Sequence, residues 1–289
     1  QAFEGVLSKT LRVAALQYCA GADASATLAH IELMIASAAK AGAELVALPE
    51  AATFLAPNRK DLAELAENEA DSPSLHWFSK MARDKGIWLL IGSLLIHRSK
   101  DGQLVNRSYL MAPDGTIADH YDKIHMFDAN LGDGRRYAES KNFQAGGKMV
   151  VAHCGSASIG MSICYDVRFP ALYRDMASAG ATILSVPSAF TYDSGRAHWH
   201  TLLRARAIET GCFVIAPAQC GTHADGRRTY GHALIINPWG EIIAEAATDD
   251  DVASPGSNDD VIIADLNPDA VQQARRAIPS LSNARPYDV

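Results

Sequence analysis

The sequence predicts an α/β fold in which helices cover the outside of mixed β-sheets. Short apolar segments rich in β-branched residues alternate with longer segments of helical periodicity, and predicted hairpins join two β–α–β–α series. The predicted strands outnumber those that one open sheet holds comfortably, which favours two sheets. Periodicity leaves two architectures open: two sheets packed face to face between helices, which is a four-layer sandwich, or one large open sheet.

The first half of the chain begins with a strand and a helix and ends in a predicted hairpin. Gly86 is a typical C-cap of the second helix, for which Ser74 is the predicted N-cap. Asp114 and Gly115 form a hairpin signal. The predicted elements are strand Leu11–Tyr18, helix Ala24–Ala41, strand Glu44–Leu48, helix Leu75–Lys85 and strands Ile87–Ile96, Leu104–Ala112 and Thr116–Tyr121.

In the second half, a long polar segment from Lys123 to Gly147 precedes a return to alternation. Segments of this length inside a domain are usually functional or disordered. An acidic stretch, Asp249–Asp260, is a predicted exposed loop, and Asn267 is the predicted cap of a last helix that begins at Pro268. The other predicted elements are strand Ala157–Cys164, helix Pro170–Ala179, strand Thr182–Val186, helix Gly195–Gly211 and strands Cys212–Ala216, Ala233–Asn237, Ile242–Glu245 and Val261–Asp265.

Composition excludes several classes of protein. The 289 residues are 48% apolar, which is typical of a globular domain and rules out a disordered tail, a collagen-like fibre and a coiled-coil rod. A net charge of −7 argues against nucleic acid or an anionic membrane as the main partner. The longest apolar run, Ile87–Ile96, is about half of the ~20 residues that a membrane-spanning helix needs.

Five cysteines are present, and neither their number nor their spacing indicates disulfides or a metal site. Free thiols are typical of a reducing compartment, so we expect a cytoplasmic protein. A single free cysteine is more often a small buried apolar residue than a reactive one.

Three residues nevertheless interrupt the pattern where predicted strands end. Glu50 follows an apolar strand and a proline, Lys123 opens the long polar segment, and Cys164 stands between a strand and a helix. Taken singly, each has an ordinary interpretation: a solvated glutamate, a surface lysine and a buried cysteine. Because ligand sites in α/β proteins lie at the carboxyl ends of strands, the three together predict an active site.

The three residue types form a complete set for amide hydrolysis. A thiol at a strand–turn–helix elbow is a nucleophile, and the following helix N-terminus is expected to favour its thiolate. A glutamate of raised pKa transfers the thiol proton to the leaving group, and a lysine ammonium stabilises the oxyanion. This set needs no metal or organic cofactor. The histidines leave a Cys–His arrangement open, namely His198, His200, His223 and His232.

The segments around these residues resemble the catalytic segments of the nitrilase superfamily of carbon–nitrogen hydrolases, which uses a Glu–Lys–Cys triad. Glu50 in ALPEAATF matches the first motif, Lys123 in YDKIHMFD the second and Cys164 in ICYDVRFPALYR the third. The resemblance extends from Arg12 to about Asn267, and the C-terminal half is most similar to the Nit branch of amidases.

The resemblance implies an α-β-β-α sandwich that pairs into an eight-layer dimer, and a homodimer or higher homo-oligomer is therefore expected. It implies a single domain over residues 1–289, with a tail of about residues 267–289 at a subunit interface. It also implies that Glu139, in YAESKNFQAG, assists the triad, and that the backbone N–H of Tyr165 shares the oxyanion hole with Lys123.

For the substrate, the resemblance implies a linear amide of a small molecule that carries a carboxylate, of the deaminated glutathione or dicarboxylate monoamide type. Arg168 is the predicted carboxylate clamp, and Phe190 is a predicted wall of the pocket. A scaffold role for Arg168, paired with Asp166 or Asp175, is the alternative. An N-carbamoyl amino acid amidohydrolase and a nitrilase would use the same triad, and a binding module that merely keeps the fold is the alternative outside the enzymes.

Overall fold

A computed structural model of the chain describes residues 9–56, 61–98, 103–131, 136–248 and 258–288. The helices in these ranges are α1 (Ala24–Lys40), α2 (Leu62–Leu65), α3 (Pro73–Lys85), α4 (Pro170–Ser178), α5 (Tyr192–Thr210) and α6 (Asp269–Ala277). The strands are β1 (Leu11–Tyr18), β2 (Leu45–Ala47), β3 (Glu67–Asn68), β4 (Trp88–His97), β5 (Leu104–Met111), β6 (Ile117–Asp122), β7 (Asp128–Asn130), β8 (Arg136–Ala138), β9 (Val151–Cys154), β10 (Ala157–Met161), β11 (Ile183–Ser185), β12 (Phe213–Ala216), β13 (Ala218–Thr222), β14 (Arg228–Tyr230), β15 (Leu234–Ile236), β16 (Ile242–Glu245) and β17 (Asp260–Leu266).

Two large mixed sheets account for most of these strands. The first has the order β14-β13-β1-β2-β4-β5-β6, with β17 pairing with β1 and β3 with β4. The second has the order β16-β15-β12-β11-β10-β9, and β7 and β8 form a separate hairpin. In each sheet the central strands are parallel, so their carboxyl ends lie on one edge.

The side chains of β1 show how the layers are stacked. Val13 and Ala15 belong to a core shared with strands of the second sheet, such as β10 and β11. Ala14 and Leu16 point the other way, into a core formed with α1 and α3. Helices α4 and α5 pack on the far side of the second sheet, against β10 and β12. The fold is therefore the four-layer α-β-β-α sandwich, and the single open sheet is excluded.

Most predicted elements are present with ends that shift by one or two residues, but four predictions are wrong in detail. Helix α3 is capped by Ser72 rather than Ser74, because Pro73 occupies its first position. Helix α5 begins at Tyr192, three residues before the predicted start. Helix α6 begins at Asp269, so Pro268 is the cap. The predicted strand that ends at Cys164 stops at Met161.

The long polar segment after Lys123 is ordered in the parts that the structure describes. It contains the β7–β8 hairpin and a 3-10 turn at Glu139–Lys141. The acidic loop predicted over Asp249–Asp260 lies mostly outside the described residues. In the described ranges, every helix is too short or too polar to cross a lipid bilayer.

Candidate active site

The three residues singled out from the sequence line one cavity of about 510 Å³. Glu50 follows β2, Lys123 follows β6, and Cys164 begins a 3-10 turn after β10. The first two belong to the first sheet and the third to the second sheet. The cavity therefore lies where strand ends of the two sheets face each other.

A buried ammonium group lies between two carboxylates at the base of this cavity. Lys123 Nζ donates to Glu50 Oε1 at 2.9 Å and to both Glu139 oxygens at 3.0 and 2.9 Å, and its side chain is only 2% exposed. Burial by itself would lower the Lys123 pKa, but the charges of Glu139 and Glu50 outweigh it and raise the pKa well above its usual value. The lysine is thus a fixed cation.

Glu50 is held by hydrogen bonds as well as by Lys123. Its Oε2 accepts the backbone N–H of Ala189 at 2.9 Å, and its Oε1 accepts Asn106 Nδ2 at 3.0 Å. Burial opposes its ionisation, but the Lys123 charge and the hydrogen bonds from Cys164, Lys123 and Ala189 prevail and lower the Glu50 pKa. The expected raised pKa is therefore wrong, because the sequence did not show how closely the ammonium approaches the carboxylate.

The loop that carries Glu50 depends on close contact with β4. The pairing of β4 with β5 shifts register between Ile91 and Leu94. At this irregularity, Ser93 accepts the N–H of Ala51 with its hydroxyl and the N–H of Ala52 with its carbonyl. A Cβ atom on Gly92 would come within 2.1 Å of a backbone oxygen of this loop, so only glycine fits.

Cys164 has a strained backbone. Its φ is +48°, and its N–H donates to the carbonyl of Pro187 at 2.9 Å. Left-handed backbone in a non-glycine residue is costly and recurs at active sites. A strand, this turn and helix α4 follow one another, so the predicted elbow is present although the strand ends earlier than predicted.

A buried carboxylate, Asp166, hydrogen-bonds both to the turn that carries Cys164 and to the segment around Lys123. Asp166 accepts the N–H of Ile163 at 2.9 Å and the hydroxyl of Tyr121 at 2.8 Å. It also accepts the backbone N–H of His125 at 3.0 Å and lies 2.7 Å from that residue's Nδ1. Lys123 is two residues before His125. Asp166 therefore fixes the position of the Cys164 turn relative to Lys123.

The surroundings of Cys164 favour the neutral thiol over the thiolate. The thiol hydrogen-bonds to Glu50, and burial together with the Glu50 charge raises its pKa well above the usual value, although Lys123 opposes this. The pKa shift runs against the thiolate that the helix N-terminus was expected to favour, because burial and the Glu50 charge outweigh the Lys123 charge. A thiol next to an ionised carboxylate is the starting state for proton transfer during attack.

The backbone N–H of Tyr165 donates to no acceptor among the described residues. Its side chain lines the cavity and packs against Phe127, with ring centroids 5.1 Å apart. A backbone donor beside the nucleophile is the usual form of an oxyanion hole.

Arg168 and Phe190 both line the cavity. The guanidinium lies 5.2 Å from the Phe190 ring centroid, and its Nη1 is 3.2 Å from Nδ1 of His198. Within the described residues, no carboxylate lies within salt-bridge distance of Arg168, so the alternative pairing with Asp166 or Asp175 is not observed. The Arg168 guanidinium is therefore available to bind an anion.

Histidines do not contribute to the described lining of this cavity. The Cys–His arrangement that the composition left open is thus absent from the described site. Both carboxylates are already bound to Lys123, so the site does not offer a divalent cation free ligands. The expectation that no metal or cofactor is needed stays a prediction.

Sequence reasoning missed Asn106, whose Nδ2 also lies 3.4 Å from Glu139 Oε1. The available signal was three consecutive polar residues, Asn106 to Ser108, inside an otherwise apolar strand. Arg107, next to Asn106, makes two hydrogen bonds to the carboxylate of Asp122, the residue before Lys123. This strand therefore positions Lys123 and both glutamates.

Comparison with known proteins identifies the family of this chain. The carbon-nitrogen hydrolase family model matches residues 12–276. The chain is 41% identical over 278 residues to a deaminated glutathione amidase of Synechocystis, covering 95% of this chain and 98% of that protein.

Solved structures of the Nit type have the same fold. The C. elegans NitFhit protein superposes with a TM-score of 0.86 at 33% identity, covering 97% of this chain and 66% of that longer chain. Nit3 of Saccharomyces cerevisiae, a member of branch 10 of the nitrilase superfamily, gives 0.83 at 28% identity over 96% of this chain and 97% of its own. The chain therefore belongs to the carbon–nitrogen hydrolase family and is an amidase of the nitrilase superfamily.

Proposed function

We propose that this amidase hydrolyses a linear amide of a small carboxylate-bearing molecule through a thioester on Cys164. The observation that carries the proposal is that Glu50, Lys123 and Cys164 line one cavity, with the buried Lys123 ammonium donating to Glu50 Oε1 at 2.9 Å. A nucleophile, a base and a cation thus share one cavity.

In the first half of the reaction, Cys164 Sγ attacks the amide carbon while Glu50 takes the thiol proton. The negative charge moves from Glu50 to the substrate oxygen, where Lys123 and the Tyr165 N–H stabilise it. The carbon–nitrogen bond then breaks, Glu50 gives its proton to the leaving nitrogen, and ammonia or an amine departs. Lys123 contacts Glu50, so its ammonium also stabilises the carboxylate before the proton moves.

In the second half, a water molecule attacks the thioester carbon and gives its proton to Glu50. The carbon–sulfur bond breaks, the sulfur regains the proton, and the acid leaves. We assign Glu139 the role of a positioning residue, because it contacts Lys123 through both oxygens and also accepts the backbone N–H of Phe127 at 2.6 Å.

The carboxylate of the substrate is assigned to Arg168. Its guanidinium faces the cavity without a carboxylate partner among the described residues, and Phe190 beside it provides an apolar wall. Deaminated glutathione, named for the Synechocystis relative, and a dicarboxylate monoamide both carry the required carboxylate.

The experiment compares a dicarboxylate monoamide with its carboxyl methyl ester in wild type and in Arg168→Met. Wild type should prefer the free acid by at least about tenfold in kcat/KM, since hydrogen bonds to charged groups contribute about 1.5–3 kcal/mol. Arg168→Met should lose that preference. Equal rates for acid and ester in wild type would reject the clamp.

A panel of amides, N-carbamoyl amino acids and nitriles, assayed by ammonia release, tests the reaction class. We expect the amides to have the highest kcat/KM. Preference for an N-carbamoyl amino acid would instead indicate an N-carbamoyl amino acid amidohydrolase, and preference for a nitrile would indicate a nitrilase. If no substrate of any class were turned over, a binding module would be favoured.

We further propose a homodimer, with the whole chain as one domain and residues from about 267 onward near the interface. Large apolar side chains are exposed around the end of α5 and the C-terminal segment, including Ile208, Trp239 and Ile278. Exposed apolar clusters of this kind are typical of interfaces. The cytoplasmic location inferred from the five free cysteines also stays a prediction.

A further inference from the structure

Two imidazoles and a carboxylate converge outside the catalytic cavity. His200 Nε2 and His232 Nδ1 each lie 2.9 Å from the same oxygen of Glu245. The three potential ligand atoms lie within 4.8 Å of one another, and none of the three residues lines the cavity. The proposed mechanism uses none of them.

The three side chains come from separate elements of the chain. His200 lies on α5, His232 lies between β14 and β15, and Glu245 ends β16. Their convergence therefore results from the tertiary fold rather than from a local sequence pattern. A group bound by all three would link the α5 helix to the β15–β16 hairpin.

His232 is held in a fixed orientation. Its φ is +54°, its carbonyl accepts Trp199 Nε1 at 2.8 Å, and its N–H donates to Thr248 Oγ1 at 3.2 Å. The Tyr230 ring stacks on its imidazole, with centroids 4.3 Å apart. A strained backbone and a stacked ring preorganise this imidazole, as a binding site requires.

We propose that His200, His232 and Glu245 bind one divalent transition-metal ion. Two imidazole nitrogens and one carboxylate oxygen are a ligand set for zinc, nickel or copper, whereas magnesium and calcium prefer oxygen ligands. Metal–ligand distances near 2.0–2.2 Å place tetrahedral ligand atoms about 3.4 Å apart, so small side-chain rotations suffice. Both histidines and Glu245 are partly exposed, which leaves room for a water molecule as the fourth ligand.

The site is linked to the catalytic cavity by packing. Trp199 precedes His200 on α5, and its ring lies 5.1 Å from that of Phe190 in the cavity wall. The Phe190 carbonyl also accepts the N–H of Tyr230, whose ring covers His232. The metal is expected to stabilise this wall without contacting the substrate.

Titration calorimetry with NiCl₂, on the 289-residue chain previously treated with a chelator, tests the site. Nickel is chosen because it favours imidazole. We expect one ion per chain in wild type, and binding at least about tenfold weaker in His200→Gln and in Glu245→Gln. The matched control is His153→Gln, which removes an exposed histidine outside the cluster and should bind like wild type.

Amide hydrolysis without added metal should be unchanged in both cluster variants, which shows that they are folded. Added Ni²⁺ should raise the melting temperature of wild type and not that of the two variants. Absence of binding by wild type, unchanged affinity in the variants, or equally tight binding of Mg²⁺ would each overturn the proposal.

Discussion

One ammonium between two carboxylates is the arrangement from which the proposed chemistry follows. Lys123 contacts Glu50 and Glu139 at similar distances, but only Glu50 contacts the thiol. The two carboxylates are therefore chemically distinct in spite of their shared partner. Glu50 is placed to move a proton, whereas Glu139 is placed to hold the lysine.

This difference predicts unequal effects of the same substitution. Glu50→Gln removes the base and should lower kcat by about 10²–10⁴. Lys123→Met should lower it by a similar factor, because the oxyanion loses its cation. Glu139→Gln keeps hydrogen bonding to the lysine and should have a smaller effect. Steady-state ammonia release measures all three, and a loss below about tenfold for Glu50→Gln would remove it from the base role.

The pKa shifts predict the pH dependence of the rate. The lowered Glu50 pKa keeps the base ionised, so kcat should fall only below about pH 4.3, the usual value for glutamate. The raised pKa of Cys164 predicts no rise in kcat as pH approaches 8.5, where an ordinary thiol ionises. An inflection of kcat near pH 6–7, measured with a pH-insensitive substrate, would instead indicate a raised Glu50 pKa.

The same shift links folding to pH. Because the Glu50 pKa is lower in the folded than in the unfolded chain, its contribution to stability is present above the unfolded value. That contribution is lost as pH falls through the lower, folded-state value. Lys123 has a raised pKa and therefore stays charged across the neutral range.

Secondary-structure elements position the three side chains through close backbone contacts. Gly146 donates its N–H to the Lys123 carbonyl at 2.8 Å, and a Cβ atom there would meet the Asp122 carbonyl oxygen at 2.2 Å. The neighbouring Gly147 has no atom within 4 Å of such a Cβ. Substituting each of the two adjacent glycines by alanine therefore gives a test variant, at Gly146, and a matched control, at Gly147.

Gly146→Ala should destabilise the fold by about 1–3 kcal/mol through overpacking. It should also lower kcat by roughly 10², because Lys123 would shift by a fraction of an ångström or more. Gly147→Ala should change stability by less than about 0.5 kcal/mol. Thermal unfolding and ammonia release measure both effects, and equal behaviour of the two variants would contradict this account of how Lys123 is positioned.

Strands and helices with a clear hydrophobic pattern could be predicted from the sequence. Short strands that form only by pairing with neighbouring strands could not. Strand β1 and strand β16 have the predicted ends, and apolar residues predominate in both. Strands β9, β13 and β14 were missed, since their short sequences depend on neighbouring strands for their conformation. Cys164 was placed on a strand because its left-handed φ leaves no signal in an apolar run.

The candidate site was predictable in its residues and not in its electrostatics. Glu50 and Cys164 stand out because each follows an apolar segment, and Lys123 stands out because it opens the long polar segment after a predicted strand. The ionisation states depend on distances between residues far apart in the chain, which only the fold determines. Asn106 was missed for the same reason, since its role arises from its two carboxylate contacts.

On the scale of the whole molecule, the site requires both halves of the sandwich. The first sheet carries Glu50 and Lys123, and the second carries Cys164. One buried core joins the two sheets continuously in the described residues. The net charge of −7 has little bearing on the site, where the local charges of Arg168, Lys123 and the two glutamates dominate.

The proposed dimer predicts that one apolar surface controls the oligomeric state. Trp239→Arg should convert a dimer into a monomer in analytical ultracentrifugation, since it places a charge within exposed apolar side chains. Leu33→Arg is the matched control, because Leu33 is also an exposed apolar residue but lies on α1, outside the first sheet. A monomeric wild type, or a dimer that survives Trp239→Arg, would reject this surface as the interface.

In the proposed mechanism, Cys164 carries the acyl group during turnover. Rapid acid quench of wild-type enzyme with excess monoamide, followed by intact-protein and peptide mass spectrometry, measures this directly. We predict an added mass equal to the acyl group of the substrate, located on the peptide that contains Cys164 and absent from Cys164→Ala, which should also be inactive. An unmodified Cys164 peptide during steady turnover, or a Cys164→Ala variant that keeps its rate, would contradict the account.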